Sequence, residues 1–365
     1  MKKVKILVIP TGGMGLDGIT TSVLNYYRNF DRNKIHTTFI ATKIKCDDKL
    51  FINISREIAN NGDSIYYINR SKNVFVYFVE LIRLMYKGKY DLVHIHGSSS
   101  LMSIELLAAK LSGIEVRIAH SHNTTCEHKL INKLLYPFFL FLTTYRVACG
   151  IDAGRWLFKK HDFTVIRNGI DFRDFKFDKE KRKKVRAELG IENKRVIGHI
   201  GSFNTQKNHS FLIDIFNEIV KLDEDSVLVL IGDGKKRSEI EEKASKFLFK
   251  KNILFLGHRN DVADLLNAMD LMILPSLYEG LPLVLVEWQA MGIISLISDR
   301  ITKEIAVTDL VNYEPLESGS SKWARKALDL LDKKKPSTDY PSLEEYEISC
   351  NVRKLMSLYY ELVSC

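Results

Sequence analysis

The sequence predicts an α/β protein built from two doubly wound domains, each a parallel sheet with helices on its faces. Three observations predict it. Short β-branched runs alternate with helix-patterned segments, as crossover connections between parallel strands require. The alternation pauses at a charged stretch, Lys176 to Arg186, and then restarts. The glycines, histidines and charged residues suited to chemistry follow strands, where open α/β sheets bind ligands.

In the first half, strands are expected at 4–9, 36–42, 64–68, 91–95, 115–120, 145–149 and 163–166. Helices are expected at 18–30, 72–87 and 100–112. Asn168-Gly169 is a turn signal, and Lys176 to Arg186 reads as a linker and solvated helix. In the second half, strands at 195–200, 227–231, 253–256, 271–274 and 294–297 alternate with helices near 207–221, 236–249, 261–268 and 282–291. A polar stretch at 333–342 precedes a closing helix at 343–363. The expected domains are 1–172 and 190–340, with the C-terminal helix, about 343–365, packing back on the first. Sites at one end of both sheets imply a shared interdomain cleft.

Composition narrows the function classes. A chain of 365 residues is comfortable for two such domains, and 45% hydrophobic with 27% charged residues specifies a packed core. Lys and Arg number 54 against 45 Asp and Glu, a net charge of +9 that suits phosphate-bearing ligands or an anionic membrane surface. Neither zinc-finger spacing nor an RNA-binding aromatic signature is present, so nucleic acid is not an expected partner. Cys46, Cys126, Cys149, Cys350 and Cys365 are scattered without a C-x-x-C pair, which fits a reducing cytoplasm. The apolar run after Met1-Lys2-Lys3 contains Lys5 and ends at Pro10, so it reads as a first strand and not a signal peptide. The longest apolar run, Leu134 to Leu142, is too short to span a membrane and contains Pro137.

The most informative stretch runs from Pro275 to Glu287, with Gly280-Leu281-Pro282 between Glu279 and Glu287. Pro282 fits the first turn of a helix, and free N–H groups there attract anions. Glutamates beside an anion site make sense for a ligand that also offers hydroxyls, as a nucleotide sugar does on both sides of its diphosphate. Eight residues of helix would rise about 12 Å, roughly the span from one sugar to the other. Alternatively, this is an amphipathic helix with one surface and one loop glutamate.

Other motifs follow the same strand ends. Gly13, Gly15 and Gly18 satisfy G-x-G-x-x-G, but the second strand closes on Ala41-Thr42-Lys43 and Asp47 comes late for a ribose. A flexible glycine loop is the better reading, with NAD binding as its rival. His94 with His96, and His120 with His122, each put two imidazoles on one strand face. Four histidines suit a metal, but no carboxylate cluster accompanies them, and a single His reaching a sugar, His122 before His120, is preferred. Lys207, after Gly201-Ser202, can place a point charge on a phosphate. Asp223-Glu224-Asp225 has D-x-D form but precedes a strand, so it reads as a solvated turn.

Together these residues resemble the retaining family-4 glycosyltransferases of the GT-B fold. The resemblance rests on the glycine loop at 12–18, Tyr90 to Gly97, Val165 to Asp171, Gly201 to Lys207, Leu230 to Gly234 and Glu279 to Glu287. Arg117 to Asn123 gives it the texture of bacterial capsule and exopolysaccharide transferases. The resemblance implies that Glu279 contacts donor-sugar hydroxyls and Glu287 the ribose. It implies that the Gly280 and Leu281 N–H groups and Lys207 meet the diphosphate, while Arg259, Asn260 and Val262 frame the base. It further implies that Gly15 lets the acceptor-side loop approach the phosphates and that His122 reaches the donor sugar.

One position departs from the family. Ser202 stands where its members usually carry Arg. If that Arg acts like one oxyanion-hole donor, its loss costs roughly 2.7–4 kcal/mol in the barrier. Arg259 is a candidate substitute. The implied activity is transfer from a UDP-sugar, without metal or cofactor, to an oligosaccharide or lipid-linked acceptor of a surface polysaccharide. That places the expected work in the cytoplasm, at the inner face of the plasma membrane. Peripheral membrane contact would use Lys129 to Arg146 or Lys72 to Lys89, segments that also read as core-facing helices. A nucleotide-sugar epimerase of the same fold and a non-catalytic partner in a synthesis complex are the alternatives.

Overall fold

The computed structural model describes residues 3–15, 17–45, 48–70, 73–333 and 341–364. Leu16 of the glycine loop, the late Asp47, Lys72 and most of the polar stretch 333–342 lie outside the described residues. The chain divides into two compact units, Met1–Gly169 with Glu345–Cys365, and Ile170–Glu344.

The first unit runs β1 (Val4–Pro10), β2 (Met14–Gly15), α1 (Gly18–Arg28), β3 (Ile35–Ala41), β4 (Ile44–Lys45), α2 (Asp48–Asn60), β5 (Ser64–Tyr67) and α3 (Val74–Gly88). It continues through β6 (Leu92–Gly97), α4 (Ser103–Leu111), β7 (Val116–Ser121), α5 (Lys129–Leu142), β8 (Tyr145–Ala148), α6 (Ile151–Phe158) and β9 (Thr164–Val165). Seven strands form a parallel sheet in the order β5-β3-β1-β6-β7-β8-β9. The order reverses between β1 and β6, which opens a crevice at their carboxyl ends.

The second unit runs α7 (Lys179–Leu189), β10 (Arg195–Ile200), α8 (His209–Leu222), β11 (Ser226–Ile231), α9 (Arg237–Ser245), β12 (Ile253–Gly257), α10 (Val262–Leu266) and β13 (Leu271–Leu274). It ends with α11 (Leu283–Ala290), β14 (Ile294–Ser298), β15 (Val311–Glu314) and α12 (Ser320–Leu331). Its sheet, β12-β11-β10-β13-β14-β15, is parallel and reverses between β10 and β13. Strands such as β6 and β11 are buried along their whole length, which is why they read as near-continuous apolar runs. The closing helix α13 (Ile348–Ser364) buries Ile348, Val352, Leu355, Leu358 and Tyr359 in the first unit's core.

The sequence reading does not name α2, α6, α12 or β15, and its linker and solvated helix at Lys176 to Arg186 is α7. Helix α7 is solvated as its charge implies: Lys179–Leu189 has little apolar periodicity and buries only Val185 and Arg186. Polar contacts build it instead. The Asp178 carboxylate accepts from the Glu180 and Lys181 N–H groups, and Gly190 ends the helix at φ 67. Arg182 and Arg186 then converge on Asp270, each at 2.5 Å, and Asp270 also accepts from the Val196 N–H at 2.8 Å.

Burial alone would raise the Asp270 carboxyl; the Val196 N–H and the arginines outweigh burial and hold it below the usual range. A depressed carboxylate contributes stability above its unfolded pKa, and that stability is lost as pH falls through the folded value. Asp270→Asn is therefore expected to cost about 3 kcal/mol at neutral pH. Thermal melts should show the gap to wild type closing below about pH 4.

Candidate functional site

In the second unit the loops after β10 and β13 meet at the strand-order reversal. Glu279 lies there, 6% exposed, and its two carboxylate oxygens have separate partners. Oε1 accepts from Lys207 Nζ at 2.7 Å and Oε2 from Gln206 Nε2 at 2.9 Å. The loops are laced by main chain as well. The Leu277 N–H donates to the Gln206 carbonyl at 2.8 Å, and Asn208 Nδ2 donates to the Pro275 carbonyl at 3.2 Å. Sequence reasoning missed Gln206 and Asn208; the signal was their adjacency to Lys207 in a loop that both strands share.

Glycines set how closely these loops approach. A Cβ on Gly232, at φ +138, would stand 2.2 Å from the Gly201 carbonyl oxygen, and one on Gly234 2.7 Å from that of Phe203. Only glycine lets the loops after β10 and β11 run together, joined by Phe203 N–H to Asp233 carbonyl at 3.0 Å. The side chain of Lys207 lies over Gly201, where a Cβ would meet its stem at 3.1 Å.

The stretch from Glu279 to Glu287 is half loop. Helix α11 starts at Leu283 with Pro282 as its N-cap, so the expected eight-residue helical rise does not apply. Gly280 and Leu281 sit in the turn before that N-terminus, both buried. Glu287 lies one turn into α11, hemmed in by protein though part of its surface stays open. Burial raises its carboxyl to about 7, against a smaller opposing pull from the Lys207 charge. Arg259, the expected substitute cation, is paired with Asp261 at 2.7 and 2.5 Å. Asn260 is exposed beside it, and Val262 opens α10. Ser202 is half-buried beside Gly201. Asp223 and Asp225 precede β11 at the opposite edge, tied to Ser226 and Lys194 as a turn.

In the first unit the described residues of the glycine loop make main-chain contacts on both sides. Met14 and Gly15 pair with Ile44 and Lys45, and the Gly15 N–H donates to Thr20 Oγ1 at 3.2 Å. Gly13, at φ +100, leaves no room for a Cβ, which would lie 2.6 Å from the Lys43 carbonyl oxygen. The four histidines stack as two hydrogen-bonded pairs. His94 Nε2 meets His120 Nδ1 at 3.1 Å and His96 Nδ1 meets His122 Nε2 at 2.9 Å, with Tyr359 Oη 2.6 Å from His94 Nδ1.

Burial lowers His94 and His122 to about 3 and pushes His96 and His120 well down, so all four rings are neutral. A neutral ring offers one donor and one acceptor. The direction of the Tyr359 hydroxyl thus sets the tautomers of His94 and His120 together. His120 Nε2 and His122 Nδ1 are buried without partners. His94, His96 and His120 bring one nitrogen each within 4.8 Å of one another, but the coplanar 8° His94–His120 pair is spaced for a hydrogen bond.

Known proteins place the chain. The model of the family described as glycosyl transferases group 1 matches residues 181–340, the unit that holds Glu279 and Lys207. The glycosyltransferase-type protein EpsF of Bacillus subtilis (strain 168) is 32% identical over 95% of this chain and 94% of its own length. The chain belongs to the group 1 glycosyltransferases. The UDP-Gal:alpha-D-GlcNAc-diphosphoundecaprenol alpha-1,3-galactosyltransferase of Escherichia coli is 31% identical over 60% of this chain and 61% of its own length. In fold the chain is similar to HepE of Anabaena, solved in complex with UDP-glucose. The TM-score is 0.73 over 99% of this chain and 96% of that one. Identity there is 16%, so the likeness speaks to the GT-B fold alone.

The Glu287 carboxyl, raised in the folded chain, has a stability cost with a definite sign. Stability is full below the unfolded pKa and is lost as pH rises through about 7. Glu287→Gln should therefore melt higher than wild type at pH 8, by no more than about 3 kcal/mol. Near pH 4 the two should melt together.

Proposed function

We propose that this group 1 glycosyltransferase is a retaining, metal-independent enzyme. It moves a sugar from a UDP-sugar to a growing, lipid-linked surface polysaccharide. The observation that carries the reading is the part-buried Lys207–Glu279 pair at the reversal of the second sheet, with Gly280 and Leu281 leading into α11. Such a constellation suits a ligand that has a diphosphate between two polyols. Lys207 turns from Glu279 to the diphosphate, joined by the Gly280 and Leu281 N–H groups. Glu279, released, accepts from donor-sugar hydroxyls while Gln206 keeps it in place. Glu287, near half-protonated at neutral pH, can both accept from and donate to a ribose diol.

Arg259, Asn260 and Val262 are assigned to the base, Gly15 to the acceptor-side approach, and His122 to the donor sugar. The leaving diphosphate takes the acceptor proton on the same face, so no enzyme nucleophile is assigned. The UDP-sugar donor and the lipid-linked acceptor are supported by the Escherichia coli relative, whose name specifies UDP-Gal and a diphosphoundecaprenol acceptor.

Ser202 motivates a second reading, a non-catalytic partner in a synthesis complex. Arg259 does not rescue the missing cation simply, since it is already paired with Asp261.

The test is donor turnover, read as release of UDP across a panel of UDP-sugars and acceptors. Lys207→Ala should lower turnover by roughly 10²–10³-fold and Ser202→Arg should raise it. Unchanged kinetics in both variants would remove the phosphate-clamp assignment. UDP release from wild type only when acceptor is present would favour transfer. Epimerised donor would favour the epimerase, and donor binding without turnover the non-catalytic reading.

A further inference from the structure

Helix α5 is apolar except for Lys129, Asn132 and Lys133 in its first turns. Its inner side buries Phe139 and Leu142 in the core beneath α4. Its outer side is largely apolar, where a surface helix is usually polar. Leu130 is 71% exposed, Leu134 70% and Phe141 68%, with Ile131 and Phe138 also exposed. Positions 130, 134, 138 and 141 follow helical spacing, so they form one stripe. Four large side chains in a row are not the scattered apolar exposure that ordinary surfaces show. Of the two readings of this segment, the inner side is core-facing and the outer side leaves the stripe exposed.

The stripe has neighbours of two kinds. Val74, Phe75 and Val76 are exposed at the start of α3, and α4 packs against both α3 and α5, which puts them on the same side of the sheet. Lys129 and Lys133 project from α5 itself, which carries no acidic residue. Lys110 of α4 lies over the Phe141 ring at 4.0 Å, and Lys159 lies over Tyr136 at 3.7 Å. Exposed Glu80, Glu115 and Glu127 stand on flanking segments, outside the stripe. Lysine stems along an apolar ridge with their charges at its margins are what a helix needs to lie in a bilayer interface.

We infer that the α5 stripe, with the start of α3, docks this chain on an anionic lipid bilayer. Leu130, Leu134, Phe138 and Phe141 enter the acyl boundary, and Lys110, Lys129 and Lys133 meet the headgroups. Helix α5 begins after the loop that leaves β7 past His122, so docking brings the carboxyl edge of the first sheet to the membrane. The inference rests on the lipid-linked acceptor proposed above and names the surface that reaches it. Among the described residues no helix is long and apolar enough to cross a membrane, so the contact is peripheral.

Flotation of the full chain tests it, with vesicles of phosphatidylcholine alone and of phosphatidylcholine mixed with phosphatidylglycerol. Wild type should float with the mixed vesicles and lose binding as salt rises. Lys129→Gln with Lys133→Gln should weaken partitioning roughly 30-fold. Leu134→Ser, Phe138→Ser and Phe141→Ser together should abolish it, with the melting transition and UDP-glucose binding kept. Wild type that binds UDP-glucose but does not float would overturn the docking surface alone. Flotation without UDP-glucose binding would overturn the transferase reading alone. If wild type dimerises without lipid and the triple serine variant does not, the stripe belongs to a second copy of the chain and the inference falls.

Discussion

An ammonium and a carboxylate, 2.7 Å apart and largely shielded from water, sit where the second sheet reverses its strand order. Desolvating two charges is expensive, and only good geometry with further hydrogen bonds offsets it. Here Gln206 takes the second carboxylate oxygen, and the carbonyl of Gln206 holds the Leu277 N–H. The arrangement depends on Gly232 and Gly234, whose missing side chains let the loop before Lys207 settle against its neighbour. In the proposed complex the pair is a placeholder. Each partner keeps the other satisfied until a diphosphate and a sugar take them separately.

The first unit meets a different requirement. The carboxyl ends of β6 and β7 carry four imidazoles that burial keeps unprotonated. Neutral rings present hydrogen-bond donors and acceptors in a fixed order. Tyr359 of the closing helix ties that order to α13, so a helix from the far end of the chain sets the tautomer of His94.

How much was legible in the sequence followed from what each element is made of. Buried parallel strands such as Ser226–Ile231 are apolar on both faces and announce themselves. Helix α7 was legible as a solvated helix but its anchorage was not, because its place is fixed by Arg182 and Arg186 on Asp270 and not by an apolar stripe. Spacing also misled at Glu279 to Glu287, where Pro282 caps the helix and does not begin it. Glu279 and Lys207 were readable as candidates from type and strand position. Their direct pairing was not, since it depends on two loops distant in sequence and adjacent only through the reversal. At Ser202, where the resemblance implies an Arg, the expected replacement Arg259 is engaged by Asp261.

A double-mutant cycle on Lys207→Met and Glu279→Gln addresses the placeholder most directly, measured on thermal stability with and without UDP-glucose. Without donor the two substitutions should couple by roughly 1–3 kcal/mol, as contacting residues do. With saturating donor the coupling should shrink, because Lys207 then answers to the diphosphate, and Lys207→Met should weaken UDP-glucose binding. Additive effects without donor, together with unchanged UDP-glucose affinity in Lys207→Met, would contradict the account.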